Sequence, residues 1–181
     1  MNIKKLLIDR IKKNENINVG EFMQICQFEN NGYYLKNNPI GKSNDFITSP
    51  EISQMFGEIF GVFIINYWEE KIKTNFNLVE LGPGKGTLLK DILRTSSLNK
   101  KFLHSMNLTL IEKNKTLIDI QKKIINSDNI TWCDEFDISN KNIPSIIYSN
   151  EFFDCFPVRQ FYKKEKWYEK YVDYNVAEQN F

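Results

Sequence analysis

The sequence predicts an α/β fold: a partial parallel sheet with an N-terminal helical segment before it and a C-terminal β-hairpin after it. Short apolar runs alternate with helical patterns over residues 76–157, which is typical of parallel strands joined by helices. Before position 75 the apolar residues recur at helical spacing, and near the C-terminus two aromatic-rich runs flank a charged turn. We therefore expect three segments: helices and loops at 1–75, the sheet at 76–157 and the hairpin at 158–181.

The composition is that of a folded protein with almost no net charge. Of the 181 residues, 41% are hydrophobic and 26% are charged, and the formal net charge is +1. These values argue against a disordered chain and against a protein that binds nucleic acid through a basic surface. The longest apolar stretch, Ile59 to Tyr67, is too short to span a bilayer, so we expect a soluble protein without membrane insertion.

The cysteine and histidine content argues against metal or triad chemistry. Cys26, Cys133 and Cys155 lie far apart and form no CxxC or Cys/His pair, so we expect three reduced thiols and no metal site. His104 is the only histidine, which argues against a histidine-based triad; we interpret it as a surface residue after a helix.

Two helices are predicted before residue 29. Apolar residues at positions 3, 7, 8 and 11 indicate the first helix, and the second covers Val19 to Phe28. Asn30-Asn31-Gly32 is a turn signal, and the composition of residues 33–48 is typical of a loop.

Ser49-Pro50-Glu51 predicts the start of a further helix that continues to about Glu70. Ser49 would cap it, Pro50 would take the first helical position and Glu51 would meet the positive end of the helix dipole. Apolar residues at 52, 55, 56, 59, 60, 63 and 67 predict that this helix is buried on most sides.

From residue 77 the hydrophobic period changes to that of short buried strands. The predicted strands are Asn77 to Leu81, Leu108 to Ile111, Ile130 to Trp132 and Ser145 to Tyr148. The predicted helices between them run from Thr87 to Arg94 and over residues 115–125. The predicted arms of the hairpin are Val158 to Tyr162 and Trp167 to Tyr174.

A glycine-rich loop follows the first of these strands. Glu80, Gly82, Gly84 and Gly86 form an acidic-x-Gly-x-Gly-x-Gly pattern between a strand and a helix. The GxxxxGK[ST] pattern of a phosphate-binding loop is absent, and Thr87 stands at the last glycine of the dinucleotide pattern GxGxxG. The remaining pattern is typical of the loop that binds S-adenosylmethionine (SAM) in methyltransferases.

Each part of this loop has a predicted contact with SAM. The glycines allow the backbone to approach the methionyl tail, and the helix start near Thr87 favours the tail's carboxylate. Glu80 is predicted to hold the ammonium of the cofactor, directly or through water. The alternative is a tight turn between strand and helix that binds no ligand.

Two acidic residues at the ends of later strands extend the predicted cofactor site. Glu112 ends the second strand, where an acidic residue accepts both ribose hydroxyls in nucleoside-binding sheets, although it is also suited to cap the next helix. Asp134 follows the third strand and is predicted to meet the adenine amino group, with Trp132 or Cys133 near the ring. A solvated acidic loop is the alternative for Asp134.

The segment after the fourth strand is predicted to bind the methyl acceptor. Methyl transfer from a sulfonium is an in-line displacement, so the protein positions the acceptor and manages its proton. Glu151 and Asp154 are spaced to converge on a guanidinium, and Asn150 offers a carbonyl acceptor. Phe152 and Phe153 could face the sulfonium, but we favour a core role for both. The acids could instead cap the next helix.

Several blocks of the sequence carry a resemblance to a known family. They are Gly32-Tyr33-Tyr34, Pro39-Ile40-Gly41, Asp45-Phe46, Thr48 to Glu58, Leu78 to Leu88 and Asn150 to Phe161. In this order, over about residues 20–175, they resemble the MidA-type SAM-dependent methyltransferases, whose mitochondrial members methylate arginine in a complex I subunit. The blocks Thr48 to Glu58 and Asn150 to Phe161 are the most specific.

The resemblance implies a Rossmann-like methyltransferase core, SAM as cofactor and a protein arginine as acceptor. For the mitochondrial members it implies a role in complex I assembly and symmetric dimethylarginine as the product. It also implies that Asp45, Ser49, Glu51 and Gln54 line the pocket, although helix capping and loop ordering are an alternative for these residues.

The resemblance covers only the N-terminal half of the family. We therefore expect an N-terminal fragment whose fourth strand is an open edge of the sheet and whose residues 158–181 begin a truncated substrate-side region. A non-catalytic SAM-binding or assembly module, a small-molecule methyltransferase and a dinucleotide enzyme stay open as alternatives. The sequence leaves the acceptor and the oligomeric state undetermined, and the absence of an arginine-rich presequence favours bacterial cytoplasm over mitochondrial matrix.

Overall fold

The structure is a computed structural model that describes residues 2–13, 15–36, 41, 45–125, 127, 129–137 and 142–181. Contacts divide the chain into one unit of Met1–Asn37 with Phe153–Phe181 and a second unit of Asn38–Phe152. The division of the sequence into segments 1–75, 76–157 and 158–181 follows the predicted roles of those segments and stays a prediction.

The helices and strands alternate in the middle of the chain as the sequence predicts. The helices are α1 (Ile3–Lys12), α2 (Val19–Phe28), α3 (Tyr33–Lys36), α4 (Ser49–Ile52), α5 (Gln54–Tyr67), α6 (Thr87–Ser96), α7 (Lys100–Ser105) and α8 (Lys115–Ile124). The strands are β1 (Ile17–Asn18), β2 (Phe76–Leu81), β3 (Met106–Ile111), β4 (Ile130–Cys133), β5 (Ser145–Tyr148), β6 (Phe161–Lys163), β7 (Trp167–Glu169) and β8 (Tyr171–Val172). A π-helix covers Trp68–Ile72 and a 3-10 turn covers Phe153–Cys155.

The unit Asn38–Phe152 is built on a parallel sheet with the strand order β4-β3-β2-β5. Strand β2 lies between β3 and β5, so Glu80 near its carboxyl end is in register with Leu110 on one side and Tyr148 on the other. The core below contains Phe76, Phe102 and other fully buried apolar side chains. This arrangement confirms the predicted α/β fold with a partial parallel sheet.

The sequence predicts one continuous helix from Ser49 to about Glu70. This prediction is wrong, because the structure has two helices there, α4 and α5. Thr48, not Ser49, is the N-cap residue of α4, and Ser53 separates α4 from α5 with an extended backbone, φ −144°. Beyond Tyr67 the chain continues as the π-helix, which ends at Lys73 with φ 61°. The extended conformation of Ser53 breaks the ladder of helical hydrogen bonds.

The prediction that this helix is buried on most sides is also wrong. Helix α5 packs against α6 through Gly57 and Gly61: a Cβ at Gly57 would lie 2.5 Å from Asp91 Cβ, and one at Gly61 would lie 3.2 Å from Ile92 Cα. Ile64 is buried on this side, whereas many of the other large apolar side chains are exposed. The exposed residues of α4 and α5 are Ile52, Met55, Phe56, Ile59, Val62, Phe63 and Tyr67.

The other unit joins the two ends of the chain. Its core contains Leu7, Ile17 and Ile25, and Asn18 and Glu21 form a capping box at the start of α2. Strands β6 and β7 form the predicted hairpin, with shorter arms than predicted. Strand β8 lies within the predicted second arm but pairs with β1 instead of with the first arm.

Two short helices differ from the predicted pattern. Helix α3 lies within the predicted loop 33–48, of which residues 37–40 and 42–44 are outside the described residues. Helix α7 was absent from the prediction, and His104 belongs to it instead of following a helix. Among the described residues, no helix combines the length and the apolar character needed to cross a membrane.

Matched substitutions on α5 test the orientation of this helix. Ile64 is 1% exposed and Ile59 is 63% exposed. We expect Ile64→Ala to lower the free energy of unfolding by about 2–5 kcal/mol, because it leaves a cavity in the core. Ile59→Ala should change it by less than about 0.5 kcal/mol. Urea denaturation of both variants provides the measurement, and equal losses would contradict the orientation of α5.

Candidate functional site

The glycine loop between β2 and α6 has left-handed backbone torsion at each of its three glycines. The φ angles of Gly82, Gly84 and Gly86 are 62°, 55° and 85°. The N–H of Gly82 donates to the carbonyl of Ile111 at 3.0 Å, and the N–H of Gly86 donates to Pro83 at 2.8 Å. Because only glycine adopts these angles without strain, the loop turns sharply and α6 begins at Thr87.

Close neighbours also keep two of these positions free of side chains. A Cβ at Gly82 would collide with the ring of Phe152, and one at Gly86 would lie 2.8 Å from Ile125 Cδ1. The sequence therefore specifies glycine here for two reasons, the backbone torsion and the lack of space.

Gln121 of α8 supports the loop through a hydrogen-bonded chain that the sequence analysis missed. Its Nε2 donates to the carbonyl of Gly84 at 2.7 Å, and its Oε1 accepts from Trp132 Nε1 at 2.9 Å. Gln121 is fully buried. It lies one helical turn after the buried Leu117, so a polar residue on the apolar face of α8 was the available signal.

Glu80 lies at the carboxyl end of β2 and is 3% exposed. Its Oε2 accepts a hydrogen bond of 3.0 Å from the hydroxyl of Tyr148, the residue in register on β5. Burial raises the pKa of Glu80 to about 8, and the hydrogen bond from Tyr148 opposes part of that rise. The predicted contact of Glu80 with a cofactor ammonium stays a prediction.

Glu112 directly follows β3 and is held close to the same network. Its Oε1 accepts from the backbone N–H of Asn114 at 2.8 Å. Burial raises the pKa of Glu112, whereas hydrogen bonds from Asn114, Lys113 and Gln121 lower it. Gln121 also donates to the carbonyl of Gly84. The side chain of Gln121 therefore supports both Glu112 and the glycine loop.

Asn114, and not Glu112, caps α8 with its side chain. The alternative prediction, that Glu112 caps this helix, is therefore wrong. Asp134 is exposed in the bend after β4, and its neighbour Glu135 lies 3.7 Å from Lys113 in an exposed ion pair. The adenine contact predicted for Asp134 stays a prediction.

Glu51 connects α4 to the glycine loop. Its Oε1 accepts from the hydroxyl of Thr87, and its Oε2 lies 3.5 Å from Nζ of Lys85. Gln54 has a different environment, since its side-chain amide donates to Glu58 at 3.0 Å. Asp45 is exposed. Of the predicted pocket residues Asp45, Ser49, Glu51 and Gln54, the structure thus brings Glu51 to the loop.

Glu151 holds the start of α4 and has an uncommon backbone conformation, with φ 47°. Its Oε1 accepts from the N–H of Ser49 at 3.3 Å and lies 3.5 Å from the Ser49 hydroxyl and 3.4 Å from Asn150 Nδ2. None of these three contacts uses Oε2. The two most specific blocks of the resemblance, Thr48 to Glu58 and Asn150 to Phe161, therefore meet at Ser49 and Glu151.

The two phenylalanines after Glu151 have different surroundings. The ring of Phe152 lies over Gly82, whereas Phe153 is 69% exposed. The predicted core role is therefore wrong for Phe153, which the 3-10 turn directs outward. Asp154 belongs to the same 3-10 turn, in the unit that contains both chain ends.

These features define a class of protein. A strand, a loop with three left-handed glycines and a helix N-terminus offer a backbone cradle, and acidic residues lie at the carboxyl ends of two adjacent parallel strands. This arrangement is typical of cores that bind a nucleoside cofactor with a charged tail. The unit is thus a Rossmann-like nucleoside-cofactor-binding core.

A family model described as "Putative S-adenosyl-L-methionine-dependent methyltransferase" matches residues 59–181. The chain belongs to this family. The predicted family membership and SAM as the family's cofactor are thereby confirmed.

Curated relatives agree with this assignment. "Protein arginine methyltransferase NDUFAF7, mitochondrial" of Bos taurus is 36% identical over 193 residues, which cover 92% of this chain and 44% of the relative. The protein of the same name from Homo sapiens is 34% identical over 194 residues, with the same two coverages. The chain thus spans less than half the length of the curated relatives it matches.

A solved structure supports the fold. It is a protein from Burkholderia thailandensis, described as a "likely methyl transferase", bound to S-adenosyl-homocysteine. The TM-score is 0.78 at 18% sequence identity, and the match covers 97% of this chain and 47% of that protein.

Removal of the Gln121 side-chain amide tests whether this residue supports the loop. Gln121→Leu would leave the Gly84 carbonyl and the Trp132 N–H without their partner, and we expect a loss of about 1–3 kcal/mol in the free energy of unfolding. Gln54→Leu, which removes an exposed amide, should cost less than about 0.5 kcal/mol. The measurement is denaturant unfolding, and a neutral Gln121→Leu would refute the supporting role.

A double-mutant cycle separates strain from collision at Gly82. Gly82→Ala introduces left-handed strain of roughly 1–2 kcal/mol and a collision with Phe152. In a Phe152→Ala background only the strain is expected to remain, so the cost of Gly82→Ala should fall. Thermal unfolding of the four proteins gives the coupling energy. An equal cost in both backgrounds would show that Phe152 does not restrict this position.

Proposed function

We propose that this chain binds SAM at the glycine loop and belongs to a methyltransferase that acts on arginine in a protein. The observation that supports this most is the loop itself: three left-handed glycines between a buried acidic residue and the N-terminus of α6. Family membership supports the cofactor, and the names of the curated relatives support the acceptor.

The cofactor is assigned to groups at the carboxyl ends of β2, β3 and β4. Gly82, Gly84 and Gly86 line its methionyl tail, whose carboxylate lies at the start of α6. Glu80 accepts from the ammonium. Glu112 accepts from the ribose hydroxyls and Asp134 from the adenine amino group. Bound SAM supplies an electrophilic methyl group on a sulfonium.

The acceptor is assigned to Asn150, Glu151 and Asp154. Carboxylates grip the planar fork of a guanidinium and favour positive charge on it, so they orient the attacking nitrogen. The contacts of Glu151 support this role, because Ser49 and Asn150 use only Oε1 and hold the carboxylate in place. Asn150 supplies a carbonyl acceptor.

The pocket on the side of α4 is assigned to Asp45, Glu51 and Gln54. Glu51 has the most support, since its contacts with Lys85 and Thr87 join α4 to the cofactor loop. By these contacts Glu51 fixes the helix on which the acceptor side of the pocket is built.

A complex I subunit is the proposed protein substrate, and the proposed product is symmetric dimethylarginine. The names of the relatives favour the mitochondrial matrix over bacterial cytoplasm as the compartment. Location of a fluorescent fusion in the source cell tests this assignment.

A non-catalytic SAM-binding or assembly module is the second candidate. One observation favours it: the chain spans 44% of the length of the Bos taurus relative. Both candidates bind SAM, but only the methyltransferase transfers its methyl group to an acceptor.

Calorimetric titration of SAM tests the cofactor site. We expect micromolar binding that is lost in Gly84→Val, because a β-branched residue is strained at φ 55° and would obstruct the cradle. Ser97→Val, at the end of α6, serves as a folded control that keeps binding. Failure of the wild-type chain to bind SAM would contradict the proposal.

Transfer of radiolabelled methyl groups from SAM tests the activity. We expect label on arginine of a candidate protein, and Glu151→Gln should bind SAM normally but lower transfer by about 100-fold or more. Label on small molecules would favour the small-molecule alternative. Binding without any transfer would favour the non-catalytic module.

A further inference from the structure

The Tyr148–Glu80 pair is a buried polar pair that the functional assignments leave partly unexplained. Both side chains are less than 10% exposed, and their oxygens lie 3.0 Å apart. They are in register on adjacent strands, and Glu80 lies two residues before Gly82. The carboxyl group accepts from the tyrosine hydroxyl just before the chain enters the glycine loop.

The surroundings of the pair are apolar on the neighbouring elements. Leu110 is in register on β3, and the ring of Phe60 on α5 lies 5.4 Å from that of Tyr148. Lys85 of the glycine loop forms an ion pair with Glu51 of α4. Among the described residues, the titratable group that acts on Glu80 is therefore Tyr148.

An isolated carboxylate is costly in such a place, so Glu80 keeps its proton at neutral pH. Burial raises its pKa to about 8. The same burial, together with Glu80, raises the pKa of Tyr148 well above its ordinary value, so the tyrosine stays a hydroxyl donor. The pair is thus a neutral acid beside a neutral donor.

We propose that Tyr148 is a positioning residue that couples cofactor binding at Glu80 to the release of one proton. The inference rests on the proposed function, in which Glu80 accepts from the cofactor ammonium. Glu80 loses its carboxyl proton to solvent and becomes a carboxylate that faces the ammonium. Tyr148 keeps its own proton and donates to Oε2 in both states, which stabilises the carboxylate.

The pair therefore gives cofactor binding a pH dependence. Below pH 8 the ammonium must displace the proton of Glu80, so affinity rises with pH up to that point. Without the hydroxyl of Tyr148, the carboxylate loses a donor and the pKa of Glu80 rises further. Tyr148→Phe should then shift the pH profile upward and weaken binding at pH 7 by about tenfold.

Calorimetry with S-adenosyl-homocysteine, in buffers of different ionisation enthalpy, measures the protons released. The wild type should release about one proton per ligand at pH 7 and about half a proton at pH 8. Tyr148→Phe should release more than the wild type at pH 8. Glu80→Gln should release none, and its affinity should depend less on pH.

Tyr67→Phe is the matched control, because it removes a hydroxyl from a half-exposed tyrosine on α5. It should behave as the wild type. The titration of the ligand's own amino group is common to all four proteins and cancels in their comparison.

The outcomes separate this inference from the proposed function. Binding with the same proton release in the wild type, Tyr148→Phe and Glu80→Gln would overturn the coupling and leave the proposed cofactor site intact. Absence of binding in every protein at every pH would overturn the proposed function and the coupling together.

Discussion

The site depends on one constraint: the backbone between β2 and α6 has left-handed torsion at three glycines within five residues. This turn ends the central strand and starts α6 at once, so a helix N-terminus lies beside the carboxyl ends of the parallel strands. Gln121 then fixes the loop from α8, and Glu51 fixes it from α4. Segments that are distant in sequence are therefore organised around a turn that other residues would strain.

Two further glycines, on α5, determine how this helix packs in the same unit. Gly57 and Gly61 let α5 approach α6 closely, whereas Met55, Ile59 and Phe63 of α5 are exposed. Strand β5 lies at the end of the strand order, and its Ile147 is 42% exposed. The glycine-loop side of the unit is thus well supported by contacts, whereas α5 exposes an apolar face.

The sequence predicted the parts of the fold that follow from local pattern. Apolar runs identified β2 to β5, and the parallel alternation placed Glu80 and Glu112 at the same edge of the sheet. Long-range pairs were not predictable in this way. The bond from Tyr148 to Glu80 needs the register of β5 on β2, and that from Gln121 to Gly84 needs the orientation of α8. The exposure of α5 was missed because hydrophobic spacing does not reveal which face carries the close glycine contact.

Amide hydrogen exchange with and without S-adenosyl-homocysteine tests most directly that the glycine loop is the cofactor site. We expect slower exchange at residues 82–86, in the first turn of α6 and next to Glu112, with little change along α5. Unchanged exchange at the glycine loop in the presence of bound ligand would contradict it.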